Sequence, residues 1–285
     1  MKTIRSLCVA LSAVLFLAHA AAAQESLMLP LEVDGEKVRL EVRVFKPEGA
    51  GPFPTVIFHH GSTGNGRSPS VFTNRFNPAG FGSYFTSKGW AVVMPYRRGR
   101  GGSEGVYDEG FDPERRLGYT CDPPTSLVGA DRALRDIDAL TLAIVELPFI
   151  DRPRLLLAGQ SRGGILSIAY AAKRPELFKG VINFVGGWMG TGCGWTTTSR
   201  INQDLFRRGA TSPLPSLWLY GAGDPYYPVF HSRENFAAFE AAGGKGEFIE
   251  YPRPDDITGH AIYSRASIWS QDVTRYLESR GLMMR

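Results

Sequence analysis

Eight short apolar runs punctuate the chain, with longer stretches of helical spacing between them. The first two, residues 27–33 and 38–45, flank Asp34-Gly35, a dipeptide suited to a tight hairpin turn. In the second, Val38, Leu40, Val42 and Val44 alternate with Arg39, Glu41 and Arg43, the period-2 pattern of a half-buried strand. The later runs, 55–59, 90–94, 155–158, 181–184 and 217–220, are continuously apolar, and 248–251 follows as a last strand. Continuous runs of this length suit strands covered on both faces of a parallel sheet.

Helical spacing is clearest over 126–147. Leu127, Ala130, Leu134, Ile137, Leu140 and Ile144 recur every three or four positions and predict one buried stripe. Asp131 with Arg135, and Arg132 with Asp136, are spaced as i,i+4 ion pairs and are expected on its wet side. Further helices are expected over 165–172, 236–242 and 267–277. Strands that alternate with helices require right-handed crossovers and a mainly parallel sheet. The Gly-rich stretch near 186–198 interrupts this alternation and reads as an insertion. No repeat or long linker divides the rest.

Composition supports one globular domain: 285 residues, 43% hydrophobic and 21% charged. The first 23 residues read as a signal peptide. Lys2 and Arg5 form a basic start, 7–18 is an apolar run too short to span a bilayer comfortably, and Ala21-Ala22-Ala23 supplies small residues before Gln24. The expectation is therefore a periplasmic or secreted domain over 24–285, without stable membrane insertion after cleavage. The net charge is +4, and Lys2 and Arg5 carry two of those charges. No basic stripe or aromatic motif points to nucleic acid. Removal of Cys8 with the signal leaves Cys121 and Cys193, which an oxidising compartment allows to pair. Their spacing does not decide between a disulfide and two thiols. Neither lies in a metal-binding cluster, so no metal or cofactor is expected.

The candidate chemistry begins at Gly159-Gln160-Ser161-Arg162-Gly163. A strand precedes it and a helix follows, the setting of a G-x-S-x-G nucleophile elbow. Such a turn lifts the serine hydroxyl above the sheet and leaves the Arg162 N–H at a helix start, where it can stabilise an oxyanion. A serine hydroxyl needs a base. His260, in a polar turn after the last strand, is the candidate, and His231 reads as a helix-start or pocket residue. Asp224, after the strand 217–220, is the candidate acid, with Asp255 and Asp256 as alternatives. The order Ser161, Asp224, His260 is the one this elbow uses. The loop after 55–59, His60-Gly61-Ser62, is expected to give the second oxyanion donor through the Ser62 N–H. His60, Trp188 and Trp195 are candidate pocket residues. Arg97, Arg98 and Arg100 fit either a carboxylate-binding site or the bracing of a Gly-rich loop.

These pieces resemble the dienelactone hydrolase-like branch of the α/β-hydrolases, which shades into the prolyl-oligopeptidase-like peptidases. The resemblance is carried by His59-His60-Gly61, the run Tyr96-Arg97-Arg98-Gly99-Arg100-Gly101-Gly102-Ser103, the elbow with Gly164, Gly223-Asp224 and Gly259-His260. It implies an α/β-hydrolase fold, with a mainly parallel central sheet, an N-terminal antiparallel hairpin and helices on both faces. It also implies a serine hydrolase acting on a small-molecule ester. Dienelactone hydrolase itself has a cysteine nucleophile where Ser161 stands, which favours a general ester or amide hydrolase. The alternatives are a secreted prolyl-oligopeptidase-like peptidase and a catalytically silent binding module. Oligomeric state is not legible in the sequence.

Overall fold

The computed structural model describes residues 23–283, so Cys8 and all of the expected signal peptide except Ala23 lie outside the described residues. Its strands are β1 (Ala23–Val33), β2 (Glu36–Lys46), β3 (Phe53–His59), β4 (Ala91–Pro95), β5 (Ile150–Gln160), β6 (Val181–Phe184), β7 (Ser216–Gly221) and β8 (Gly246–Tyr251). The helices are α1 (Ala79–Ser87), α2 (Pro123–Ile144), α3 (Arg162–Tyr170), α4 (Trp195–Gly209), α5 (Val229–Ala241) and α6 (Ala266–Ser279).

All strands join one sheet in the order β1-β2-β4-β3-β5-β6-β7-β8. β1 and β2 form the expected antiparallel hairpin, turned at Asp34-Gly35, and β2 also runs antiparallel to β4. From β4 to β8 every pairing is parallel. The continuous apolar runs are explained by cover on both sides: Leu155, Leu156, Leu157 and Ala158 of β5 are all fully buried. Phe58 of β3 packs at a tilt against Phe81 of α1, which in turn meets Trp269 of α6. Helices α2, α3, α4 and α5 pack as a second group. This is the α/β-hydrolase fold.

α2 starts as its sequence suggests. Asp122 accepts the Thr125 N–H at 3.0 Å, and Pro123 occupies the first helical position. The expected i,i+4 pairs along α2 are replaced by longer-range ones. Arg135 bonds Asp34 of the hairpin turn, Arg208 of α4 takes Asp131, and Asp136 is buried against Arg98. Asp131, Arg132 and Arg135 keep solvent exposure, as expected, and only Asp136 is buried. The stretch near 186–198 is only partly an irregular insertion: from Trp195 onward it is the start of α4.

Parallel strands place their C-terminal ends at one edge. The loops after β3, β5, β7 and β8 therefore gather there, which is where ligands bind in open α/β sheets.

Candidate active site

Ser161 follows the last residue of β5 and caps α3. Among the described residues it is one of three non-glycine residues with positive φ, at φ 57° and ψ −124°. An L-residue holds that conformation only where its surroundings enforce it. The enforcement is visible in the backbone. Ser161 N–H donates to the Phe184 carbonyl of β6 at 3.0 Å, and its own carbonyl accepts the Gly164 N–H at 2.9 Å and the Gly187 N–H at 3.2 Å. Only glycine fits at 163, because a Cβ there would lie 1.9 Å from the His59 carbonyl oxygen.

The candidate acid and base arrive from the loops after β7 and β8, neighbouring strands of the sheet. Asp224 follows β7 and is buried; one carboxylate oxygen accepts the Tyr226 and Tyr227 N–H groups at 2.8 and 3.0 Å. The other oxygen lies 2.8 Å from His260 Nδ1. His260 sits in a short helical turn, Gly259–Ser264, after β8. With Nδ1–H donated to Asp224, Nε2 carries the free lone pair, the tautomer a general base requires. Asp255 and Asp256 both face solvent, and Asp256 is paired with Arg265 at 2.6 Å. His231 lies within α5, buried, with Nε2 3.0 Å from Asn202 Nδ2; burial lowers its pKa to about 4.

A cavity of about 690 Å³ joins Ser161 to His260. Ser62 and Arg162 line it as well, and among the described residues no oxygen accepts either N–H. The loop of Ser62 lies close against the elbow, since a Cβ on Gly61 would come within 3.0 Å of Ser161 Cβ.

Of the candidate pocket residues, the structure brings only Trp188 to this cavity. Its indole N–H donates to Ser126 at 3.0 Å, so the ring is held in place. His60 is fully buried outside the lining, with both ring nitrogens facing protein groups. Trp195 stands apart on α4, about one-third exposed, against Phe230 and His231.

Several contributors escaped the sequence reading. Phe76, Tyr119, Met189, Tyr226 and Tyr263 line the cavity. Tyr227 is buried beside the Ser161 hydroxyl and donates to the Gly187 carbonyl at 2.8 Å. The pair Tyr226-Tyr227 directly after Asp224-Pro225 was the available signal. Cys121 and Cys193 form a disulfide, with Cα atoms 5.3 Å apart, and both line the cavity.

Beneath one wall lies a buried ionic cluster. Arg97 donates to Glu109 at 2.5 Å, and Arg162 reaches the same carboxylate at 3.4 Å and the Glu109 carbonyl at 2.8 Å. The Arg162 guanidinium is sandwiched between Tyr119, at 3.6 Å, and Trp188, at 4.1 Å. Burial alone would raise the Glu109 pKa, but Arg97 and Arg162 outweigh it and hold the carboxyl below its ordinary value. Arg98 is committed to Asp136 and Asp34. None of Arg97, Arg98 and Arg100 lines the cavity; Arg97 and Arg100 brace the loop after β3, and Arg98 ties its own loop to α2 and the hairpin turn.

Among the described residues no group of three His, Cys, Asp or Glu side chains is arranged to hold a metal ion, and no helix is long and apolar enough to cross a membrane.

Two family profiles match parts of the chain: X-Pro dipeptidyl-peptidase (S15 family) over residues 34–121, and the prolyl oligopeptidase family over residues 129–211. No curated protein matches it. Among solved structures, one described as a dienelactone hydrolase from Klebsiella pneumoniae is 21% identical, with TM-score 0.57, covering 91% of this chain and 99% of that one. Est1E from Butyrivibrio proteoclasticus, with ferulic acid bound, is 15% identical with TM-score 0.60, covering 88% and 98%. One described as a dipeptidyl aminopeptidase IV from Bacteroides ovatus is 16% identical with TM-score 0.62, and the 93% of this chain that aligns spans only 36% of that protein. The chain is similar to all three in fold.

Proposed function

We propose that this serine hydrolase of the α/β-hydrolase superfamily cleaves carboxylic esters through an acyl-enzyme on Ser161, in the periplasm or outside the cell. The observation that carries the reading is the convergence on one cavity of a strained Ser161 and a His260 held by Asp224. His260 Nε2 takes the proton as Ser161 Oγ attacks the carbonyl. The N–H groups of Ser62 and Arg162 receive the oxyanion, the alcohol leaves with the proton from His260, and water releases the acid by the same steps.

Preference for esters is argued from the cavity lining. A dipeptidyl peptidase must hold a free α-ammonium group, which calls for a carboxylate. Among the described lining residues there is none, while Phe76, Tyr119, Trp188, Tyr226 and Tyr263 offer aromatic surface. An aryl or otherwise apolar ester suits such walls, and Est1E holds an aromatic acid. Export is supported by the signal-like residues 1–23 and by the disulfide.

The peptidase reading is kept because both matching profiles describe peptidase families. A panel of p-nitrophenyl and hydroxycinnamoyl esters set against dipeptide anilides separates the two. The ester reading expects kcat/KM for the best ester to exceed that for any anilide, and faster anilide cleavage would replace it with the peptidase reading. Turnover of neither class, with no covalent labelling, would indicate a silent binding module.

A further inference from the structure

We infer that Arg100 and His60 are positioning residues that set the Ser62 N–H as an oxyanion donor. The inference rests on the reading of Ser161 as nucleophile.

Both side chains act on one atom, the Gly61 carbonyl oxygen. Arg100 Nη1 donates to it at 3.1 Å, and His60 Nδ1 lies 2.8 Å from it. A carbonyl oxygen only accepts, so His60 Nδ1 carries the hydrogen, and Nε2 is left to accept the Arg97 N–H at 3.4 Å. Two donors use both lone pairs of that oxygen and fix the plane of the Gly61–Ser62 peptide. In a planar trans peptide the N–H points opposite to the C=O. The Ser62 N–H therefore points away from Arg100 and His60. Ser62 lines the cavity, whereas Arg100 and His60 do not.

Arg100 is an unusual side chain to spend on a carbonyl. It is 4% exposed, and among the described residues no carboxylate lies within ion-pair distance of it. Its remaining contacts are the Phe72 carbonyl at 3.1 Å and the Tyr107 ring at 5.0 Å. Burying a cation in this way is costly. A cationic donor on C=O also polarises the peptide and strengthens its N–H as a donor. His60 gives direction without charge: burial first, then the neighbouring Arg97 and Arg100, keeps it neutral. Arg97 secures the same turn by donating Nη1 and Nη2 to the His60 carbonyl, both at 3.1 Å.

The test compares R100Q, R100K and H60Q with wild type on one ester. Outright loss of an oxyanion donor costs about 10²–10³ in kcat, so losing its orientation is expected to cost roughly tenfold, with KM within about twofold. Affinity for an aryl trifluoromethyl ketone, whose adduct carries the oxyanion, should fall by the same factor. Affinity for the matching methyl ketone should not move. R100K, which keeps a cationic donor, should recover part of the loss, and H60Q should change kcat in the same direction as R100Q. A folded R100Q with wild-type kcat overturns the inference, as does equal weakening of both ketones. Should R100Q fail to fold, H60Q decides, because it removes the second donor and leaves the guanidinium in place; wild-type kcat there also overturns it. S161A separates the premise: activity surviving in S161A removes the nucleophile reading itself.

Discussion

The two walls beside Ser161 are built on opposite principles. The wall carrying Ser62 and Arg162 is backed by buried charge: Arg97, Arg100, Arg162 and Glu109 are all under 5% exposed. The wall carrying Asp224 and His260 has one buried carboxylate, two backbone N–H donors and a histidine at the edge of the cavity. The difference follows from what each wall does in the proposed mechanism. An oxyanion donor must not move during the reaction, and fixed dipoles in a dry setting do that best. A base must exchange a proton and then deliver water, so it needs access. Stability should therefore reside in the first wall and proton chemistry in the second.

The largest expected effect tests the second wall. D224N leaves His260 without its carboxylate and should lower kcat about 10⁴-fold, with little change in melting temperature. A loss of stability comparable to that of E109Q would erase the distinction between the walls. E109Q should do the reverse. It leaves the buried Arg97 and Arg162 guanidiniums without a counter-charge, which should cost about 3–5 kcal/mol of stability, seen in chemical denaturation. An E109Q protein as stable as wild type would contradict the account of the first wall.

A smaller effect is expected from the bond that ties the rim together. Reduction of Cys121–Cys193, or C121S with C193S, should cost about 2–4 kcal/mol, because the bridge closes a long loop. KM should rise more than kcat falls, since both cysteines line the cavity rather than touch the reacting atoms. The last effect concerns acid. Burial holds His231 to a pKa of about 4, and burial with Arg97 nearby holds His59 to about 3. In the unfolded chain both take up protons near the ordinary value of about 6.5. The unfolded state therefore binds more protons below that pH, and stability should fall from about pH 6.5 towards 4. Urea titrations across this range should show a shallower slope for H231N, and an unchanged slope would exclude His231 as a source.

The sequence made most of the strands legible, because they are short runs buried on both faces or on alternate positions; β8 is an exception, with only Tyr251 buried. The same pattern hid α1 and α4. α1 contains two glycines in nine residues. α4 buries Thr198 and Asn202 alongside Ile201, Leu205 and Phe206, so its inner stripe does not read as apolar. Ser161, Asp224 and His260 could be named as candidates because each follows a strand at one sheet edge. Partners across the fold were not legible. Glu109 is one acidic residue among many until the fold sets it between Arg97 and Arg162. His60 read as a pocket group because it follows a strand, but its ring is turned inward towards Tyr96, with centroids 5.2 Å apart. The disulfide was undecided for the same reason.

The central claim is that Ser161 is the nucleophile. Intact mass and peptide mapping after treatment with a fluorophosphonate test it most directly. The account predicts one adduct, on the peptide containing Ser161, formed by wild type and absent from S161A. An adduct that persists in S161A, or maps to another residue, would contradict it.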